Sequence, residues 1–286
     1  FTKEVQENTK LLFIESMGNP KLDVLDIEKI SDESKKNHVP LMVDNTVATP
    51  ALLNPIKYGA NIVIYSLTKY INGNGTALGG AIVDAGNFDW SSGKFPEFTT
   101  PSAGYHGLIY HDALGPAAFI AKVRVEGLRD IGAAISPFNS FQIIQGLETL
   151  EVRMKKHSEN ALELATWLES REEISWVNYP GLKSSPYNSL SKKYLPNGQS
   201  GLITFGSTGG FNSAKKIADN TTIFSLLANI GDSKSLIIHP ASTTHSQLSE
   251  IEQLNTGVSQ DLVRLSVGLE NIEDLKQDLI NAFEKI

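Results

Sequence analysis

Four short apolar runs punctuate the first 85 residues: Leu11-Leu12-Phe13-Ile14, Leu41-Met42-Val43, Ile62-Val63-Ile64-Tyr65 and Gly80-Ala81-Ile82-Val83. Each is shorter than a helix needs and lacks the polar alternation of a half-exposed strand. That is the pattern of strands covered on both faces. Between the first two, residues 26–37 set Ile27 and Ile30 among charges, which predicts an amphipathic helix. Residues 50–58 predict a helical turn. Apolar strands alternating with helical segments specify α/β architecture with a mostly parallel sheet.

From residue 86 to about 139 the texture changes to Gly, Pro, Ser and aromatics, including Phe88, Trp90, Tyr105 and His106. A disordered linker avoids aromatics, so residues 86–131 read as an ordered insert, followed through 115–125 by a helix. From about Gly146 a long helix is expected, with Leu147, Leu150, Met154, Ala161, Leu164 and Leu168 at helical spacing. Strands follow at 175–178, 202–205 and 263–267, and helices at 213–220 and 271–285. In the last helix Ile272, Leu275, Leu279, Phe283 and Ile286 form one stripe. Two domains are expected: residues 1–144, with the insert, and a smaller α+β domain over 145–286 that opens with the long linking helix.

Composition narrows the function classes. The chain has 286 residues, 41% hydrophobic and 20% charged, which suits one or two globular domains. Its net charge of −7 argues against a nucleic-acid binder. No apolar run approaches membrane-spanning length. The absence of cysteine excludes disulfides and cysteine–zinc sites, and fits a reducing cytosol. The chain opens at Phe1 and enters an apolar strand within about ten residues, with no signal-peptide pattern. It is therefore expected to lack the beginning of its first domain.

The candidate chemistry sits at strand ends. Ser66-Leu67-Thr68-Lys69 follows the third apolar run, where open α/β sheets place ligands. Hydroxyls can bind a phosphate, and a lysine beside them suits a Schiff base with an aldehyde. On these residues alone a solvated surface turn is the favoured reading. Asp44 ends the second run, on the same expected sheet edge. It can keep a pyridinium nitrogen protonated or cap a following helix. The glycine stretch Gly73, Gly75, Gly79, Gly80 superficially resembles a dinucleotide fingerprint but precedes a strand instead of following one, which argues for close backbone packing. Arg264, within Val263-Arg264-Leu265, is expected to be partly buried and to hold either a substrate carboxylate or a structural ion pair. The six histidines form no metal-binding spacing, and no nucleophile elbow is present.

Six motifs occur in order: Glu15-Ser16-Met17-Gly18-Asn19-Pro20, Val43-Asp44-Asn45-Thr46, Tyr65-Ser66-Leu67-Thr68-Lys69-Tyr70, Gly146-Leu147-Glu148-Thr149-Leu150 with Arg153-Met154, His239-Pro240-Ala241-Ser242-Thr243-Thr244-His245, and Val263 through Glu270. Together they resemble the Cys/Met-metabolism family of pyridoxal phosphate enzymes, of fold type I, from end to end of the chain. The insert, with Asn87-Phe88-Asp89-Trp90 and Leu128-Arg129-Asp130-Ile131, is similar to the sulfhydrylase branch of that family. The resemblance implies pyridoxal 5'-phosphate as cofactor, Lys69 as its covalent and proton-moving lysine, Asp44 at the pyridine nitrogen, and Ser66 and Thr68 at the phosphate. It implies Asn19, Ser235 and Arg264 around the substrate, Arg264 on its carboxylate.

The implied activity is γ-replacement of acetate on O-acetylhomoserine by sulfide or a thiol. Methionine γ-lysis, cystathionine synthesis, or a catalytically incompetent fragment are the alternatives. The implied protein is a cytoplasmic homo-oligomer, dimer or tetramer, without nucleic acid or membrane partners. Family members carry an upstream segment that supplies a ring-stacking tyrosine and further phosphate donors, so this chain alone is expected to hold the cofactor poorly.

Overall fold

The computed structural model describes residues 3–286. The four apolar runs are strands β1 (Leu12–Glu15), β2 (Leu41–Asp44), β3 (Ile62–Ser66) and β4 (Gly80–Asp84), in the order β1-β2-β3-β4. β1, β2 and β3 run parallel. β4 returns antiparallel on β3, because the connection through residues 67–79 holds no crossover helix. The parallel register sets Glu15 opposite Asp44 and Asp44 opposite Ile64. The C-terminal ends Glu15, Asp44 and Ser66 therefore share one edge of the sheet.

One face of this sheet is buried. Leu12, Ile14 and Val43 pack in a cluster with Leu150, Met154, Tyr194, Leu195 and Leu202, so close packing crosses residue 145. The other face departs from the expected two-sided cover. Trp90, Phe95, Phe98 and Phe119 of the insert pack on Met42, Ile62 and Ile64, with the Trp90 and Phe119 rings stacked at 5.1 Å. This aromatic cluster lies over the two central strands. On the edge strands of this face Phe13 and Ile82 remain 47% and 43% exposed.

Two helix boundaries also differ from the sequence pattern. Pro116 lies in a short 3-10 turn, so the helix expected over 115–125 begins at Ala118 and passes through a π-helical segment, Val123–Leu128. The long helix is two helices, Pro137–Glu148 and Leu150–Leu168. The first begins at Pro137 because the Ser136 hydroxyl accepts from the Asn139 amide at 3.1 Å and proline suits the first helical position. Leu147 falls on its exposed side, whereas Leu150, Met154, Ala161, Leu164 and Leu168 are buried.

A second sheet has the order β5-β6-β9-β8-β7, comprising Ile174–Asn178, Leu202–Ser207, Leu262–Ser266, Leu236–Ile238 and Ser225–Leu226. Helices Leu150–Leu168, Gly210–Asp219 and Ile272–Phe283 bury their apolar sides against it. Leu275, Leu279 and Phe283 lie in that core, while Ile286 is 41% exposed and outside the expected stripe. The strands β7 and β8 and the helices Asn188–Tyr194 and Glu250–Thr256 have no counterpart in the sequence pattern.

His157 ties the long helix to this sheet. Val267 offers only a carbonyl, so Nδ1–H of His157 donates to it at 2.7 Å. Nε2 is then bare, buried and unpartnered among the described residues. Burial lowers the pKa of this imidazole from 6.5 to about 4. The unfolded chain therefore binds the proton first as pH falls. The stability that neutral His157 contributes is whole above about pH 6.5 and is lost between there and about pH 4. The difference amounts to about 3 kcal/mol. Denaturant unfolding at pH 7.5 and pH 4.5 should show this decline, and His157→Phe should flatten it. An equally steep decline in the variant would assign it to other groups. In the same assay Phe205→Ala, in the buried centre of β6, should lose about 3–5 kcal/mol, and Phe13→Ser should change stability by no more than about 0.5 kcal/mol.

Candidate active site

The edge formed by Glu15, Asp44 and Ser66 is where the first sheet meets the second. The turn after Ser66 carries Lys69 toward the segment between β7 and β8. There the Lys69 Nζ donates to Asn229 Oδ1 at 2.5 Å. Arg264, in the middle of β9, reaches the same place from the second sheet. Its Nη1 donates to Asn19 Oδ1 at 3.1 Å and its Nη2 to the Asn229 carbonyl at 3.3 Å. Asn229 therefore bridges the two cations, with its side chain on one and its backbone on the other.

No carboxylate pairs with Arg264 among the described residues, and its partners are neutral. The structural ion pair that the sequence left open is not what holds it. Burial pushes the guanidinium pKa down to about 10. Lys69 is also lowered from its ordinary value, first by burial and then by the positive charge of Arg264. A half-buried amine with lowered basicity is the state in which a lysine acts as nucleophile and proton carrier. A half-buried guanidinium without an acid is a site for an anion that can take two parallel hydrogen bonds.

The acidic side of the site is the strand edge. Asp44 accepts from the Thr46 amide at 2.9 Å, which turns the chain after β2. The next helix, Thr49–Leu52, is preceded by Ala48, so Asp44 is not its N-cap. Glu15 accepts from the Asn19 amide at 3.1 Å. Its pKa is raised, mainly by burial and next by the neighbouring Asp44 carboxylate. The hydroxyls divide. Thr68 Oγ1 accepts from the Gly79 amide at 3.1 Å and donates to the Gly79 carbonyl at 3.3 Å, so it closes the glycine stretch behind Lys69. A Cβ on Gly79 would lie 2.7 Å from Ile143, which confirms close packing there. The Ser66 amide donates to Thr46 Oγ1 at 2.8 Å, and its hydroxyl makes no hydrogen bond among the described residues.

Asn19, Asp44, Ser66, Lys69 and Arg264 are thus brought to one place. Ser235 is engaged elsewhere: its hydroxyl donates to Glu270 at 2.8 Å and accepts from the Gly268 amide at 2.8 Å, and its amide donates to Glu270 at 2.7 Å. Asn229 and Glu15 are the members that sequence reasoning missed. Glu15 lay inside a recognised motif without an assigned role. Asn229 precedes β8, a strand of three residues whose pattern gave no signal.

The family described as Cys/Met metabolism PLP-dependent enzyme matches residues 1–284. Among relatives, the O-acetyl-L-homoserine sulfhydrylase of Leptospira meyeri is 51% identical, aligned over 100% of this chain and 67% of its own length. The homocysteine/cysteine synthase of Saccharomyces cerevisiae is 46% identical, over 100% and 67%. A Campylobacter jejuni crystal structure, described as an O-acetylhomoserine (thiol)-lyase with N'-pyridoxyl-lysine-5'-monophosphate at position 205, superposes with a TM-score of 0.95 at 46% identity, covering 99% of this chain and 68% of that one. The crystal structure of metB from Corynebacterium glutamicum gives 0.81 at 33% identity, over 99% and 65%. The chain belongs to the Cys/Met metabolism family of pyridoxal phosphate-dependent enzymes and has its fold type I architecture. It spans about two thirds of the length of these relatives.

Removing the like charge should relieve the smaller of the two causes that lower the basicity of Lys69. In Arg264→Gln the ionisation of Lys69 should move up toward 10.5, as read by pH-dependent acetylation and peptide mass mapping. An unshifted profile would mean that the two cations do not sense each other.

Proposed function

We propose that the whole protein performs γ-replacement on O-acetylhomoserine, with sulfide or a thiol entering and acetate leaving. The observation that carries this most directly is the acid-free pair of Lys69 and Arg264 bridged by Asn229, in a chain 51% and 46% identical to a sulfhydrylase and a homocysteine/cysteine synthase. The lower likeness to metB favours sulfhydrylation over the other chemistries of the family.

The residues present fit the cofactor. Lys69 would attach it, Asp44 would face its pyridine nitrogen, and Ser66, with its free hydroxyl, would donate to its phosphate beside the Thr68–Gly79 closure. When bound, pyridoxal phosphate supplies an electron sink for the pair of electrons left when a proton leaves Cα of the amino acid. The rest is the work of the chain. The Asp44 carboxylate would hold a proton in place on the ring nitrogen. The Arg264 guanidinium takes the substrate carboxylate, with Asn19 fixing its angle, and so orients the Cα–H bond toward Lys69. The Lys69 amine would take the protons from Cα and Cβ as the Cγ–O bond to acetate breaks. Hydrosulfide would then bond to Cγ, and Lys69 would return protons to Cβ and Cα, giving homocysteine. Ser235, bound to Glu270, supports the strand end behind this pocket.

The protein is further proposed to be a cytoplasmic homo-oligomer. Phe138, Phe141, Ile144 and Leu147 of one helix are 70%, 60%, 54% and 49% exposed, an apolar stripe that a second copy would cover. The division into units at residue 145 is proposed on the two separate sheets.

Borohydride reduction with pyridoxal phosphate, followed by peptide mapping, should place the pyridoxyl group on Lys69; a label on Lys57 or Lys94 would sink the assignment. In the whole protein Arg264→Ala should raise the KM for the amino acid by about 10- to 150-fold, the loss of a charge-assisted contact of about 1.5–3 kcal/mol. Cofactor absorbance should persist. An unchanged KM beside a lost cofactor spectrum would make Arg264 a structural residue. Homocysteine formation should require sulfide, and release of the same substrate's carbon skeleton without sulfide would favour γ-elimination.

A further inference from the structure

Arg153 belongs to a motif that the site does not use, yet it is one of the most committed side chains in the molecule. It stands at the start of helix Leu150–Leu168 and is 8% exposed. Its Nη1 donates to the Tyr70 carbonyl at 2.6 Å. Its Nη2 donates to the Ile71 carbonyl at 3.2 Å and the Gly146 carbonyl at 2.6 Å. Its Nε donates to Thr149 Oγ1 at 3.1 Å. All four acceptors are neutral. Burying a guanidinium among carbonyls, without a carboxylate, is a costly arrangement that a purely stabilising role does not require.

Two of those carbonyls belong to the residues directly after Lys69. The turn carrying Lys69 closes through Gly73, whose amide donates to the Lys69 carbonyl at 2.8 Å, and it leaves the carbonyls of Tyr70 and Ile71 without backbone donors. The guanidinium supplies those donors and joins the turn to the break between the two helices. The fit leaves no slack. A Cβ on Gly73 (φ +71°) would lie 2.2 Å from Nη1, and a Cβ on Gly146 would lie 2.2 Å from the Asn72 carbonyl. From the far side the Gly73 carbonyl accepts from the Ser233 amide and hydroxyl, both at 2.8 Å. The turn is thus clamped by Arg153 on one side and by Ser233 on the other. Ser233 lies four residues past Asn229, the partner of the Lys69 amine.

We infer that Arg153 is a positioning residue for Lys69: by capping the turn that follows it, Arg153 holds the lysine amine against Asn229 and Arg264 without touching cofactor or substrate. This rests on Lys69 being the cofactor lysine. A lysine at 153 would keep the charge but present its donors from one point, and could not span carbonyls of three separate residues.

The test uses the 286-residue chain without added cofactor. Lys69 is titrated by pH-dependent acetylation and mass mapping in the parent, in Arg153→Lys and in Thr149→Val, with circular dichroism and thermal melts to establish folding. In folded Arg153→Lys the amine should leave its half-buried place beside Arg264, and its apparent pKa should rise measurably toward the ordinary lysine value. A profile superposable on the parent's would overturn the inference. Should Arg153→Lys fail to fold, Thr149→Val decides. It removes the acceptor that orients Nε and the hydroxyl's own bond to the Gly146 carbonyl, leaving the guanidinium in place; a smaller rise in the same direction supports the inference, whereas no rise overturns it. A pyridoxyl label on another lysine in the parent would remove Lys69 from the chemistry, yet the same titration would still report whether Arg153 places it.

Discussion

Two cations held side by side without an acid between them are the constraint on which the site depends. Lys69 arrives from the first sheet and Arg264 from the second, and a single neutral residue, Asn229, accepts from both. Such a pair repels itself. It persists because each cation is anchored from behind: Lys69 by a turn capped through Arg153, and Arg264 by its place in the central β9 strand between β6 and β8. The carboxylates stay on the strand edge, where burial and then the neighbouring Asp44 raise the pKa of Glu15. In the proposed function this charge separation would serve a substrate carboxylate on one side and a ring nitrogen on the other.

This arrangement explains why packing is continuous across the expected division of the chain. Leu150, Met154, Tyr194 and Leu202 share a core with β1 and β2, which keeps the second sheet's arginine in register with the first sheet's lysine. A flexible joint would let the two cations drift apart. The sheet's outer face is a different matter. Phe13 and Ile82 lie largely uncovered on the edge strands, while the aromatic insert covers the centre.

Much of this was legible in the sequence, for identifiable reasons. Short apolar runs ending in Asp44 and Ser66 announced both the strands and the edge where the chemistry sits, because a parallel register aligns strand ends. The aromatics of residues 88–98 announced an ordered insert. The start at Pro137 was written in Ser136-Pro137 but was masked by the stronger apolar period further on. Asn229 was not legible: it lies in a loop beside strands of two and three residues, too short to carry a period. The family resemblance implies a place for Ser235 beside the substrate, and only the structure reveals that Glu270 accepts from its hydroxyl and amide. The partner of Arg264 could not be read either, since whether a buried arginine meets an acid depends on contacts across the two sheets.

The account is tested most directly by a crystal structure of the protein reduced with borohydride in the presence of pyridoxal phosphate and an amino-acid substrate analogue. The predicted result is a pyridoxyl group on Lys69, its ring nitrogen within hydrogen-bonding distance of Asp44, and the analogue's carboxylate on Arg264. A pyridoxyl-Lys69 whose phosphate occupies Arg264, or whose ring nitrogen turns away from Asp44, would contradict it.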